Sequence, residues 1–191
     1  MMEHEGNNKV NGMEIEKGKR ESGSRKGVEL TMRVLALILT MTAAIILGVA
    51  KQTKVVSLKV IPTLPPLDVS TTAKASYLSA FVYNISVNAI ACGYTAISIV
   101  ILMMSKGRRS KGLLMAILIG DLVMVALLFS GTGASGGIGL MGKQGNKHVM
   151  WKKVCGVFDK FCNQVAVSVA ITLLASIVFM VIVVLDAMKL P

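Results

Sequence analysis

The stretch from Gly112 to Gly131, GLLMAILIGDLVMVALLFSG, constrains this chain more than any other. About twenty residues at 1.5 Å of rise cover the roughly 30 Å hydrocarbon core of a bilayer, and all but one here are apolar or small. The exception is Asp121, near the middle. A carboxylate at that depth costs roughly 2.5 kcal/mol or more, so it must face protein and find a partner. The rest of the chain is read by asking what that partner is.

The surrounding sequence is of the same kind. With 53% hydrophobic residues gathered in long runs, the 191-residue chain is a polytopic membrane protein rather than a soluble domain. Four apolar windows stand out, at Leu30–Ala50, Leu78–Met104, Leu113–Gly133 and Val165–Leu185. They predict an all-α membrane protein built as a four-transmembrane-helix bundle. An even number of spans puts both termini on one side. The loop at 105–112 carries four basic residues in eight, Lys106, Arg108, Arg109 and Lys111. Short loops that dense in Lys and Arg stay in the cytoplasm, which makes the N- and C-termini cytoplasmic. The outer loops also hold lysines, so density rather than total count decides the orientation. The net charge of +11 sits in segments flanking the spans, where lipid headgroups explain it better than nucleic acid. No cleavable signal peptide is visible, so the first span reads as a retained signal anchor and the plasma membrane as the destination.

Residues 1–29 are polar and without apolar periodicity, the composition of a disordered cytoplasmic tail. Extracellular loop 1, residues 51–77, has strand-forming Val55, Val56, Leu58, Val60 and Ile61 before three prolines, which suggests a short strand or hairpin. Extracellular loop 2, residues 134–164, overlaps the run Gly131 to Gly142, GTGASGGIGLMG, whose first six residues match a dinucleotide fingerprint. That match is accidental, since the motif needs a strand before it and a helix after it in a soluble unit. Within this loop Trp151, Val154, Phe158, Phe161 and Val165 recur at spacings of 3, 4, 3 and 4. This predicts an amphipathic helix whose aromatic stripe, Trp151, Phe158 and Phe161, lies along the outer bilayer interface. Residues 186–191 form the cytoplasmic C-terminus.

Arg33 enters the first span about one turn deep and Asp121 the third about nine residues deep. Both spans start from the cytoplasm, so the two differ in depth by about 8–10 Å, much of which an extended Arg and an Asp can bridge. The expectation is an interhelical ion pair between Arg33 and Asp121 that fixes how spans one and three pack. Losing either partner should impair folding or export, and exchanging the charges should restore part of it. The competing reading is a small transporter or channel using Asp121, which would need a chain of titratable groups that the other spans do not offer.

Cys155 and Cys162 lie on the oxidising side in this topology. Seven residues apart on a continuous helix they would be about 10 Å apart, too far to bond, so a disulfide and the aromatic stripe exclude one another unless the helix breaks, for which Gly156 offers a place. An intrachain bond, an intermolecular bond and free thiols all remain open. Cys92, inside the second span, is a small packing residue. Small residues recur at four-residue spacing in every span: Thr40, Ala44 and Gly48; Ala89 and Gly93; Ala116 and Gly120; Ser168, Thr172 and Ser176. Such stripes let helices approach closely, within the bundle or between copies. The Asn84-Ile85-Ser86 sequon lies too near the bilayer to be used. His4 and His148 have no nucleophile or metal-ligand context, so no catalytic residue, metal site or cofactor is expected.

The four spans, the basic inner loop, Arg33, Asp121, the segment SYLSAFVYNISVNAIACGYTA at Ser76 to Ala96 and GKQGNKHVMWKKVCGVFDKFCNQV at Gly142 to Val165 together resemble the plant Casparian strip membrane protein-like family, related to MARVEL domains. The resemblance covers roughly residues 30–190. Claudins are unlike this chain because its first outer loop has neither Trp nor Cys, and tetraspanins because the second lacks a Cys-Cys-Gly. What the resemblance implies is a non-enzymatic plasma-membrane scaffold that forms homo-oligomers, from dimers upward, and hetero-oligomers with related members, contacts membrane lipids and recruits cell-wall-modifying enzymes. It matches Arg33 and Asp121 to the family's intramembrane charged pair and Cys155 and Cys162 to its outer-loop cysteines. The first-loop signature of the founding members is not recognisable in Lys51 to Tyr77, which points to a like-protein in another tissue.

Overall fold

The computed structural model describes residues 27–58, 67–104, 111–145, 148 and 153–189. The expectations for the tail at 1–26, the loop prolines, Trp151, and Lys106, Arg108 and Arg109 lie outside the described residues. Among the described residues, four helices are long and apolar enough to cross a membrane: α1 (Gly27–Gly48), α2 (Ser79–Met104), α3 (Lys111–Gln144) and α4 (Asp159–Ala187). Between α1 and α2 the chain forms an antiparallel hairpin, β1 (Lys51–Leu58) with β2 (Leu67–Lys74), registered so that Lys51 faces Lys74 and Leu58 faces Leu67. The protein is therefore a four-helix bundle with one two-stranded hairpin at one end, a small departure from an all-α chain.

Each helix buries one seam of residues at alternating spacings of three and four. In α1 it is Glu29, Arg33, Ala36, Thr40, Ala43 and Leu47; in α3 it is Ile117, Asp121, Met124, Leu128, Gly131 and Ser135. In α4 the same rhythm runs from Phe161 through Val165, Ser168, Thr172, Ala175, Phe179 and Ile182 to Asp186. A mean step of 3.5 residues is what left-handed helix packing near 20° requires. The seams mix large apolar residues such as Leu128 and Phe179 with small and polar ones such as Ala36, Thr40 and Ser168, while the outward faces carry Ile, Leu, Val and Met. In lipid the outside is already apolar, so close backbone approach and hydrogen bonds drive association instead. Ser168 Oγ donates to the Ala43 carbonyl at 2.8 Å, joining α4 to α1, and Ser135 Oγ donates to Ala80 O at 3.1 Å, joining α3 to α2. The hydroxyls of Thr40, Thr95 and Ser176 donate to carbonyls one turn back in their own helices, so none is left unpaired in the bundle.

The helices differ in reach. Measured from the level of Arg33, Asp121 and Asp186, α1 continues for about 22 Å while α3 continues for about 35 Å. The glycine-rich run expected to leave the third span at Gly133 instead stays helical to Gln144, and Gly145 ends it with a left-handed φ of 71° and an N–H donated to Met141 O at 2.8 Å. α4 runs alongside it: a Cβ at Gly136 would sit 3.8 Å from Val169, and one at Gly139 3.7 Å from Val165, both ordinary contact distances. The fourth span likewise starts at Asp159 rather than Val165.

The hairpin packs beside this overhang. Leu47, Ala50, Ala75, Phe81, Phe158, Phe161 and Val165 form a common core there, with the Phe81 and Phe161 rings edge to face at 6.1 Å. Phe158 and Phe161 are thus buried in the bundle and do not form an interfacial aromatic stripe. The expected amphipathic helix is also replaced, by a turn over residues 154–157 followed by α4. Periodic apolar residues signal a buried face but not what buries it, and here protein does so in place of lipid.

Candidate functional site

Arg33 sits two turns into α1, on its buried seam, and is itself almost wholly enclosed. Its guanidinium meets Asp121 as a fork, Nη1 donating to Oδ1 at 3.1 Å and Nη2 to Oδ2 at 2.8 Å. The planar five-donor guanidinium suits this two-point contact in a way an ammonium does not. The same Nη2 also donates to Asp186 Oδ2 at 2.8 Å. On its remaining side, Nε lies 3.6 Å from Glu29 Oε1, one turn earlier on α1. Lys189 closes the group, its Nζ donating to Glu29 Oε2 and to Asp186 Oδ1, each at 2.6 Å. Two cations and three carboxylates from α1, α3 and the end of α4 thus form one cluster. Only Lys189, with 28% of its side chain exposed, reaches solvent appreciably.

Charges taken out of water this far are costly unless every one is paired. Here the arrangement supplies the pairing and, by joining three helices at one level, also sets their relative heights. Chemically it is a clamp: each oxygen of Asp121 and of Asp186 faces a cationic donor. Sequence reasoning brought Arg33 and Asp121 together but passed over Asp186, Glu29 and Lys189. Asp186 lay one residue beyond the apolar window and was read as tail. The signal that finds it is helical phase, since it falls four residues after buried Ile182 and seven after buried Phe179.

The remaining helix, α2, joins from beside the clamp. Tyr94 of α2 donates its hydroxyl to Ile117 O at 2.8 Å, its ring lying across α3 where Gly120 has no side chain. A Cβ at Gly120 would come within 2.6 Å of the Tyr94 oxygen and 2.7 Å of its ring edge. Gly120, expected as part of a small-residue stripe, thereby serves the interior of the bundle. So do Thr40, Ser168, Thr172 and Ser176, whereas Ala89, Gly93 and Gly48 face outward. Farther along, Asn88 Nδ2 lies within bonding distance of Asn84 O, Asn84 Oδ1 and Thr172 Oγ1. Asn84 is completely buried, which removes the sequon from any modifying enzyme.

At the opposite end, Cys155 and Cys162 form a disulfide with Cα atoms 5.6 Å apart. The turn at 154–157 is the helix break that brings them together. The N–H groups of Val154 and Cys155 both donate to Gly142 O, at 2.9 and 3.2 Å, so the bonded turn is tied to the last turns of α3 as well as to α4. Cys92 is a free, half-buried thiol. His148 lies in an exposed turn.

Residues 22–178 match the Casparian strip membrane protein domain. The chain belongs to the Casparian strip membrane protein family. It is 83% identical over 190 residues to CASP-like protein 1E1 of Arabidopsis thaliana, and 80% identical over 190 residues to CASP-like protein 1E2 of the same plant, each alignment covering 100% of both chains. CASP-like protein 1E2 of Vitis vinifera is 55% identical over 168 residues, covering 88% of this chain and 86% of its own. No solved structure matches. This member of the Casparian strip membrane protein family is a multi-pass membrane protein, and its clamp lies on the helices that the matched domain spans, save for Asp186 and Lys189 just beyond it.

Proposed function

We propose that this protein is a non-enzymatic scaffold of the plasma membrane, which associates with copies of itself and with related family members into membrane domains and recruits cell-wall-modifying enzymes to them. The observation that carries the reading is that Asp121 is engaged in packing. Both its oxygens face the Arg33 fork, and Arg33 is held in turn by Asp186 and Glu29. A transporting carboxylate has to exchange its partner for cargo, whereas this one is locked between three helices, so the transporter reading loses its main support.

Self-association is favoured by the outward face of α2, where exposed Ser86, Ala89, Gly93 and Ala96 form a shallow track that a helix from another copy can approach closely. In the orientation proposed, the clamp lies at the cytoplasmic end, with both termini, because the basic loop joining α2 to α3 lies there.

The test is fluorescence recovery after photobleaching of a tagged copy in plant plasma membrane, co-expressed with a related family member, with Asp121→Asn beside it. Slow recovery in patches, lost in the variant, is the expected result. Fast and complete recovery of an evenly spread wild type would overturn the scaffold reading.

A further inference from the structure

The overhang of α3 and α4 carries a groove of about 370 Å³, open to the side, between the disulfide and the start of α2. Its floor is made by Gly136, Gly139 and Gly142, and its walls include Ala166, Ala170 and Leu173 of α4. The size falls in the range of small-molecule sites, about 300–1,000 Å³. Its lining is almost wholly apolar. Lys143 is the single charged group on it, and no carboxylate lines it among the described residues.

Three features identify what fits. The first is depth. With the level of Lys189 and Glu29 as one edge of the hydrocarbon, the other edge falls about 24 Å beyond Asp121; Leu173 and Ser135 lie about 20 Å from the clamp and Lys143 about 33 Å. The groove thus rises out of the acyl region and ends where phosphates lie. The second is shape: from Cys162 to Leu173 the apolar groove follows about 17 Å of helix and opens to the side, a course along which a single extended hydrocarbon chain can lie. The third is charge: the Lys143 ammonium at the polar mouth complements a phosphate.

We propose that this groove binds one acyl chain of an anionic phospholipid from the leaflet at the disulfide end, with Lys143 holding its phosphate. The site is distinct from the clamp, and it does not depend on the scaffold reading.

The test uses the full chain reconstituted into vesicles of phosphatidylcholine alone or mixed with phosphatidylglycerol. A phosphatidylglycerol with a photoreactive acyl chain is the probe, adducts are mapped by peptide mass spectrometry, and native mass spectrometry counts retained lipids. The expected result is one retained phosphatidylglycerol per chain with adducts concentrated on Ala166, Ala170 and Leu173. Lys143→Gln should lower that retention by about fivefold, from the worth of one basic residue at an anionic surface. Ala170→Phe, which fills the groove from its exposed rim, should abolish these adducts while an unfolding midpoint in detergent equal to that of the wild type reports an intact fold. Adducts spread equally over the outward Ile90, Ile97 and Ile119 would overturn the proposal, as would equal retention of phosphatidylcholine. Crosslinks between chains at the groove would overturn it in favour of a second copy.

Discussion

Asp186, in the last turn of α4, places Oδ2 2.8 Å from Arg33 Nη2, so the fourth helix closes directly on the first. Removing this carboxylate by Asp186→Ala leaves Arg33 with Asp121 but strips Lys189 and the guanidinium of a shared partner. Two cations and two carboxylates stay paired, so the cost is that of lost hydrogen bonds between charged groups, about 1.5–3 kcal/mol. Thermal unfolding in detergent should show that loss, and a variant within about 0.5 kcal/mol of wild type would mean that Asp186 is not part of the clamp.

The same contact changes the outcome of exchanging Arg33 with Asp121. The sequence alone leads one to expect partial rescue. With Asp186 and Glu29 already facing position 33, Arg33→Asp sets a third carboxylate among them. The double exchange should therefore remain poorly expressed at the cell surface. Adding Asp186→Asn to it should recover part of the signal, and quantitative surface labelling of the double and triple variants measures the difference.

Gly120→Ala should push the Tyr94 ring off α3. Overpacking of this kind costs about 1–3 kcal/mol, while Tyr94→Phe, which loses only the bond to Ile117 O, should cost about 1 kcal/mol. In Tyr94→Ala the glycine is no longer under pressure, so adding Gly120→Ala should then be nearly neutral. A double-mutant cycle on unfolding midpoints checks the coupling.

The hairpin caps α4. Gln52 Oε1 accepts the Phe161 N–H at 2.9 Å, satisfying one of the donors that a helix leaves free at its start. Gln52→Ala should cost about 1 kcal/mol, as for lost capping residues, and should speed hydrogen exchange at the Phe161 amide while leaving Phe179 unchanged.

Without reductant, a thiol reagent should label Cys92 alone, and after reduction all three cysteines should react. Cys155→Ser should lower stability by about 2–3 kcal/mol, the chain-entropy worth of so short a loop. Unfolding midpoints of the variant and of the reduced wild type should agree.

The parts of this arrangement that show in the sequence are those where a residue violates its surroundings. Arg33 and Asp121 stand out because charges inside apolar windows are rare, and Val55 and Val56 before the prolines point to the hairpin. The packing seams show in part, where the small-residue spacing of Thr40 and of Ser168, Thr172 and Ser176 marks them, but not by hydrophobicity. Ala36, Thr40 and Ala43 are less hydrophobic than Ile38 and Ile45 on the outward face of the same helix, so hydrophobicity marks the wrong side. The helical course of Gly131 to Gly142 is hidden because glycine weakens a helix in water, so a run rich in it reads as the end of a span. Phe158 and Phe161 gave the right rhythm and the wrong neighbour, since the sequence does not reveal that α3 and the hairpin rise beside them.

The clamp draws its members from the first, third and fourth helices in chain order. During synthesis, Arg33 and then Asp121 are made well before Asp186 exists, and the group closes only when α4 has entered beside its predecessors. A chain interrupted before α4 presents Arg33 and Glu29 with part of their partners missing, inside the membrane, where such groups are conspicuous. Closure of the cluster thus coincides with completed assembly of the bundle, and its last carboxylate to be made, Asp186, bonds both cations at once.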